Sequence, residues 1–222
     1  MSHPDTIKTV EIGREALQGI LGLPDVPPLG LVIFAHGSGS GRLSPRNQRV
    51  AQGLRDAGLA TLLLDLLTTD EENDRANVFD IELLAGRLLI ATYWAQNEPV
   101  LGDLPIGYFG ASTGAGAGLA AAADLGREIA AVVSRGGRPD LAGDALPDVV
   151  APTLLIVGGA DAPVIAVNRN ALAQLTSIKS MVTIPGAGHL FEEPGALDEV
   201  VALSRQWFLD HFAPPALTAG PA

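Results

Sequence analysis

Short apolar runs alternate along this chain with longer segments of helical periodicity, and this alternation constrains the fold more than any other feature. The run at residues 31–35 is apolar at every position, as strands buried on both faces of a sheet are. Residues 78–97 instead repeat apolar side chains at three- and four-residue spacing, which is typical of a helix. The alternation predicts an α/β fold with a mostly parallel sheet and helices on both faces.

The same patterns place the individual elements. Ser44 and Pro45 combine a helix N-cap with a proline at the first helical position, so a helix is predicted from there to about Gly58. Further helices are predicted over residues 78–97, from Gly114, and over residues 197–212, whereas the acidic run 70–74 is expected to be a solvated loop. The predicted strands cover residues 7–12, 17–23, 31–35, 59–64, 106–109, 130–134, 154–157 and 181–184.

The chain has the size and composition of one α/β domain. Its 222 residues are 47% hydrophobic and 18% charged, which is enough for a sizeable core. Since there is no internal repeat or linker, we expect a single domain over residues 1–213 and a flexible tail over 214–222. Only 18 residues, 135–152, lie between Ser134 at the end of the sixth strand and Thr153, which leaves no room for a substantial lid.

Charge and residue usage narrow the classes of function. A net charge of −11 argues against a nucleic-acid partner, because phosphate binding needs a basic face. The absence of cysteine excludes disulfides, thiolate metal sites and a cysteine nucleophile. The first ten residues lack the layout of a signal peptide, and no apolar run reaches the roughly 20 residues of a membrane span. We therefore expect a cytoplasmic protein without a membrane partner, as a monomer or homodimer.

A candidate nucleophile lies in the segment 110–114, Gly-Ala-Ser-Thr-Gly. It matches G-x-S-x-G and follows a predicted strand while opening a predicted helix, as a nucleophile elbow does. The glycines relieve the crowding of so tight a turn, and the helix start favours negative charge that develops during acyl transfer. A purely structural Gly-Ser turn is the alternative, since 26 glycines make chance matches easier. In context, the motif predicts Ser112 as a catalytic serine.

A base and an acid follow in the required chain order. His189 comes after the last predicted strand in a glycine-rich loop, and Asp161 follows the strand before it. Both therefore belong to the carboxyl edge of the sheet, where catalytic groups of open α/β sheets collect. The order Ser, Asp, His is the one that α/β-hydrolases use. The other candidates for acid and base fit less well; they are Asp140, Asp144, Asp148, His3, His36 and His211.

The glycine-rich segment 36–41 follows the third predicted strand and has two interpretations. In a hydrolase, the backbone N–H groups of Ser38 and Thr113 would form the oxyanion hole, with each donor worth about 10²–10³ in rate. The alternative is a phosphate-binding loop. G-x-G-x-x-G needs a small sixth residue, however, and counting from Gly37 that position is Arg42. There is also no P-loop motif, so the oxyanion interpretation is favoured.

Four arginines lie in or next to loops at the predicted active edge. They are candidates for binding a substrate carboxylate, although salt bridges with the many acidic residues are the favoured explanation. These residues are Arg42, Arg46, Arg135 and Arg138.

Together these motifs, from about residue 30 to residue 212, resemble the dienelactone hydrolase-like branch of the α/β-hydrolases. The resemblance implies an eight-stranded, mostly parallel sheet, hydrolysis of esters or lactones, and no cofactor or metal. It also implies Ser112, Asp161 and His189 as nucleophile, acid and base. Dienelactone hydrolases proper use a cysteine nucleophile, and this chain has serine at that position.

The sequence therefore predicts a serine carboxylesterase that cleaves small soluble esters through an acyl-enzyme. Three alternatives stay open. The first is a lactone or dienelactone-type hydrolase acting on an anionic substrate, and the second is a catalytically silent binding protein with this fold. The third, a nucleotide-binding domain, is the least favoured because the phosphate-loop motifs are missing.

Overall fold

An eight-stranded sheet forms the centre of the computed structural model, which describes residues 5–212. The strands are β1 Thr6–Ile12, β2 Leu17–Leu23, β3 Leu31–Ala35, β4 Ala60–Leu64, β5 Ile106–Ala111, β6 Ile129–Arg135, β7 Thr153–Gly158 and β8 Lys179–Ile184. Their order across the sheet is β1-β2-β4-β3-β5-β6-β7-β8. All pairs from β4 to β8 are parallel, and β1 and β2 add an antiparallel edge.

Helices cover both faces of this sheet. They are α1 Pro45–Arg55, α2 Thr69–Glu72, α3 Arg75–Phe79, α4 Ile81–Gln96, α5 Thr113–Leu125, α6 Ala162–Gln174 and α7 Ala196–Phe212. Side chains of α4, α5 and α6 form the core on one face, and those of α1 and α7 form it on the other. Strands β3, β4 and β5 are buried at every position between these layers, which explains their continuous apolar sequences.

The structure confirms the predicted fold, including the eight strands and the absence of a lid after β6. Between β6 and β7 the chain forms a short 3-10 segment, Pro139–Asp148, which packs against α5. Helix α1 begins as predicted, with the Ser44 side chain accepting from the Asn47 N–H, but it ends at Arg55. Gly58 follows with a φ of +83°. The predicted tail 214–222 lies outside the described residues, as do residue 213 and His3.

Residues 70–74 are exposed apart from the half-buried Glu71, as predicted, but the prediction that they form a loop is wrong. Helix α2 covers Thr69–Glu72, α3 begins at Arg75, and α4 begins at Ile81, three residues later than predicted. Acidic and hydroxyl side chains at the helix starts explain the difference, because they accept hydrogen bonds from backbone N–H groups that a helix leaves free. Thr68 and Glu71 form a reciprocal capping box at α2. Asp74 caps α3, and Asp80 caps α4.

A buried arginine ties the α2 region to the rest of the fold. Arg87 on α4 is only 7% exposed, and its guanidinium pairs with Glu71 at 2.6 Å and with Glu15 at 3.1 Å. The Thr68 N–H and the Arg87 charge hold the pKa of Glu71 below its ordinary value. Residues 68–72 are therefore fixed in place against α4.

No helix within residues 5–212 is both long and apolar enough to cross a membrane.

Candidate active site

The predicted catalytic residues all lie at the carboxyl edge of the parallel strands. Ser38 follows β3, Ser112 follows β5, Asp161 follows β7 and His189 follows β8. The strand order therefore spreads them along the edge, with Ser38 on the β4 side of Ser112 and His189 on the β8 side. This is the edge at which open α/β sheets bind their ligands.

Ser112 occupies a strained turn between β5 and α5. Its φ is +50° and its ψ is −123°, a backbone conformation that side-chain-bearing residues rarely adopt. The two glycines of the motif make the turn possible. A Cβ added to Gly110 would overlap Ala115, and one added to Gly114 would overlap the carbonyl oxygen of Ala35. The local geometry is that of a nucleophile elbow.

Asp161 and His189 are in direct contact. The Nδ1 atom of His189 lies 2.8 Å from Oδ2 of Asp161. The imidazole side chain is 41% exposed, and the carboxylate is 14% exposed. The Asp161 side chain does not cap α6, although the residue occupies the N-cap position. The alternative acids Asp140, Asp144 and Asp148 lie instead in the 3-10 segment after β6.

The imidazole of His189 lies over the end of β6, the strand next to the one that Ser112 follows. The Ser112 N–H donates to the Arg135 carbonyl at 3.4 Å, and Gly136 comes next along the chain. A Cβ on Gly136 would lie 3.7 Å from Cε1 of His189, so the ring faces the end of β6. Among the described residues, Ser112 Oγ and His189 form no hydrogen bond. Nucleophile–base bonds are commonly long in unliganded enzymes and tighten when substrate binds.

The glycine-rich loop 36–42 is fastened at both ends to the residues that follow β4. At one end, Nε2 of His36 accepts the Leu66 N–H at 3.0 Å, which leaves the proton on Nδ1, 3.0 Å from the Gly37 carbonyl. At the other end, the Arg42 N–H donates to Oδ1 of Asp65 at 2.6 Å, and the Arg42 guanidinium pairs with the same carboxylate. The loop is thereby held in a fixed position beside the elbow.

The two predicted oxyanion donors lie next to each other. The Ser38 N–H donates to the Thr113 Oγ1 at 3.1 Å, a bond between residues 75 positions apart. Gly37 allows this approach, since a Cβ there would lie 2.8 Å from Cβ of Ser112. The hydroxyl contact was not foreseen from the sequence.

Three of the four edge arginines are engaged in ion pairs. Arg46 pairs with Glu192 at 3.0 Å, and Arg138 pairs with Asp140 at 2.6 Å. Arg42 pairs with Asp65, as described above. These pairs match the salt-bridge explanation and leave little free positive charge on the surface for a substrate carboxylate.

Arg135 is the exception. It is 7% exposed at the end of β6, and its Nε and Nη1 atoms have no hydrogen-bond partner among the described residues. Its guanidinium carbon lies 6.0 Å from the centroid of the Phe191 ring. Burial, together with the charge of Arg46, lowers the pKa of Arg135 to about 10.

A cavity of about 480 Å³ opens beside the elbow. The glycine-rich loop and Thr113 form one wall, and the apolar side chains of Leu67, Val78 and Leu84 line another part. Glu72 of α2 also lines it, so the region 68–79 contributes directly to the candidate site. Within residues 5–212, no three His, Asp or Glu side chains cluster as metal ligands would.

The chain is similar to curated proteins and to solved structures. No protein-family model matches the chain. Two curated relatives from Mycobacterium tuberculosis, named provisionally as phosphoribosyl transferases, are 57% identical over 206 residues. That match covers 93% of this chain but 46% of the relatives, so the chain spans just under half their length.

The solved structures give a full-length match. A dienelactone hydrolase from Anabaena variabilis is 54% identical, with 95% of this chain and 99% of that chain covered and a TM-score of 0.89. The protein Est1E from Butyrivibrio proteoclasticus has the same fold, with a TM-score of 0.79 at 17% identity and coverage of 94% and 99%. From its sheet, its elbow and its full-length similarity to a dienelactone hydrolase, the chain belongs to the dienelactone hydrolase-like family of α/β-hydrolases.

Proposed function

We propose that this hydrolase is a carboxylic ester hydrolase in which Ser112, His189 and Asp161 act as nucleophile, base and acid. The observation that carries the proposal is the 2.8 Å contact between His189 and Asp161 at the sheet edge where Ser112 occupies its strained turn. A serine hydroxyl is a weak nucleophile, and a base oriented by a carboxylate is the arrangement that activates it.

In the first half of the reaction, Ser112 Oγ attacks the ester carbonyl carbon while His189 Nε2 takes the hydroxyl proton. The carboxylate of Asp161 holds Nδ1–H and stabilises the imidazolium that forms. The imidazolium then protonates the leaving alkoxide, and the C–O bond to the alcohol breaks. The products of this half are a free alcohol and an ester between the acyl group and Ser112.

In the second half, His189 removes a proton from water, which attacks the acyl carbon. The imidazolium returns that proton to Ser112 Oγ as the acyl–serine bond breaks, and the carboxylic acid leaves. Water is the only co-reactant, and the enzyme returns to its starting protonation state.

The negative oxygen of both tetrahedral intermediates needs hydrogen-bond donors. The Thr113 N–H lies at the first turn of α5, where the helix dipole favours negative charge. The Ser38 N–H is the second donor, since an entering carbonyl oxygen can replace the Thr113 hydroxyl as its acceptor. Removal of one such donor typically lowers the rate by about 10²–10³.

The alternative of a silent binding protein has a direct test. A fluorophosphonate probe should label wild-type protein at Ser112, and Ser112→Ala should abolish both labelling and turnover of p-nitrophenyl acetate. Ser180→Ala is the matched control, because Ser180 lies at the amino end of β8, opposite the site. Unchanged turnover in Ser112→Ala would contradict the proposal, and a folded wild type that is never labelled would favour the binding protein.

A further inference from the structure

The 480 Å³ cavity lies on one particular side of the nucleophile. It is lined by the loop after β3, by Leu67 after β4 and by Thr113. Since β4 and β3 precede β5 in the sheet order, the cavity lies on the β4 side of Ser112. His189 approaches from the opposite side, over the end of β6.

Because the cavity and His189 lie on opposite sides of Ser112, the side on which each half of an ester binds can be inferred. The imidazolium must protonate the leaving alcohol, so the leaving group lies on the His189 side of the carbonyl carbon. The acyl group then extends the other way, past the oxyanion donors and into the cavity. We propose that the cavity is the acyl-binding pocket and that it takes a neutral, apolar acyl group of medium size. This inference rests on the proposed ester hydrolysis at Ser112.

The lining supports an apolar occupant. Leu67 is 5% exposed and Leu84 is 3% exposed, and both present carbon surface to the cavity together with the half-buried Val78. A volume of about 480 Å³ lies within the range of small-molecule sites, about 300–1,000 Å³. It has room for an acyl chain of about six or more carbons, or for an aromatic ring, whereas an acetyl group would leave most of it empty.

The charges disfavour an anionic occupant. Arg42 is the arginine that lines the cavity, and its charge is already neutralised by Asp65. Glu72 contributes a further negative charge, so these three side chains sum to about −1. A carboxylate at the end of an acyl chain would be desolvated beside Glu72 without a free cation, which costs free energy. The cavity therefore favours neutral acyl groups over dicarboxylic half-esters.

The pocket also has a defined cover. Val78 belongs to α3 and Glu72 to α2, the two short helices that precede α4. Arg87 holds this region through Glu71. We therefore expect the segment 68–80, and not a lid inserted after β6, to determine which acyl groups the enzyme accepts.

The first experiment measures kcat/KM for p-nitrophenyl esters from acetate to decanoate. Wild type should gain about fourfold per added methylene over the first additions, as for burial of a CH₂ group, and level off once the cavity is filled. Val78→Trp should lower the hexanoate-to-acetate ratio at least tenfold, because the indole fills the cavity. Val100→Trp is the matched control, since Val100 is 59% exposed in a loop after α4, and its ratio should stay unchanged.

The second experiment compares p-nitrophenyl hexanoate with the p-nitrophenyl monoester of adipate. Wild type should prefer the neutral hexanoate by about tenfold or more, and Glu72→Lys should narrow that preference. Glu82→Gln, on the exposed face of α4, should leave it unchanged. Circular dichroism and fluorophosphonate labelling of Ser112 verify that each variant is folded, and Val78→Phe replaces Val78→Trp if the latter is not.

The outcomes separate the two proposals. An unchanged chain-length profile in folded, labelled Val78→Trp and Val78→Phe overturns the pocket assignment and leaves ester hydrolysis standing. A wild-type preference for the adipate monoester overturns the neutral-acyl assignment. If wild type is folded but neither labelled nor active on any ester, ester hydrolysis fails and the acyl pocket fails with it.

Discussion

The hydrogen bond between Asp161 and His189 can be tested quantitatively with Asp161→Asn. The substitution removes one negative charge and keeps the size of the side chain. Asp161 does not cap α6, so its other oxygen is not committed to the helix start. The asparagine side chain can therefore turn its carbonyl oxygen toward His189 Nδ1–H, and the productive tautomer is retained. The loss in rate should then reflect mainly the missing charge.

The size of that loss follows from the contact geometry. Two unit charges 2.8 Å apart interact by about 1.5 kcal/mol at the dielectric constant of water and by about 6 kcal/mol at an effective value of 20. The imidazole is 41% exposed, so the lower part of this range applies, about 1.5–3 kcal/mol. We therefore expect kcat/KM of Asp161→Asn to fall by roughly 10- to 150-fold.

The assay is steady-state hydrolysis of a p-nitrophenyl ester, with Asp161→Ala and Asp140→Asn measured alongside. Asp161→Ala should lose more, because the imidazole then lacks an orienting acceptor. Asp140→Asn should stay near wild type, since Asp140 pairs with Arg138. The reasoning is refuted if Asp161→Asn retains full activity, or if Asp140→Asn loses as much as Asp161→Asn.

Three further substitutions test the scaffold around the site. Gly114→Ala should abolish activity and lower the melting temperature by several degrees, because the added Cβ overlaps the Ala35 carbonyl oxygen. A variant with wild-type activity and melting temperature would contradict the elbow geometry. Glu71→Gln should cost about 1–2 kcal/mol at pH 7, since it leaves the buried Arg87 with one partner. Because the pKa of Glu71 is lower in the folded than in the unfolded chain, its ionised carboxylate stabilises the fold at pH values above the unfolded pKa, and this stabilisation is lost as the pH falls. In urea titrations the stability difference between wild type and Glu71→Gln should therefore shrink below about pH 4, and a difference that stays constant with pH would contradict this role of Glu71. Arg135→Met should raise stability by about 1–2 kcal/mol because it removes a buried, unpaired charge, and a lower melting temperature would show that Arg135 has a partner in solution.

The sheet and the elbow could be predicted because their signals are local in the sequence. Continuous apolar runs identify strands buried on both faces, and the G-x-S-x-G motif of the elbow is contiguous in the sequence, although the backbone that Gly114 accommodates is that of Ala35. The placement of Asp161 and His189 followed from one topological rule, that parallel strands end at a common edge. The observed contact at 2.8 Å agrees with it.

The remaining features depend on contacts that no local pattern contains. Helices α2 and α3 are too short for a periodic signal, and they are held by side-chain caps and by an arginine 16 residues beyond Glu71. The Ser38–Thr113 bond joins loops after two neighbouring strands, and the Arg46–Glu192 pair spans 146 residues. Such pairings can be known only when the strand order and the loop paths are known.

Capture of an acyl-enzyme tests the catalytic assignment most directly. Wild type mixed with excess p-nitrophenyl hexanoate and quenched in acid within milliseconds should release p-nitrophenol in a burst of about one equivalent per chain if deacylation is the slower half. Peptide mass spectrometry of the quenched sample should then find the hexanoyl group on the peptide that contains Ser112, to the same extent as the burst. Ser112→Ala should give neither burst nor adduct. An adduct on another residue, or sustained turnover by folded Ser112→Ala, would contradict Ser112 as the nucleophile.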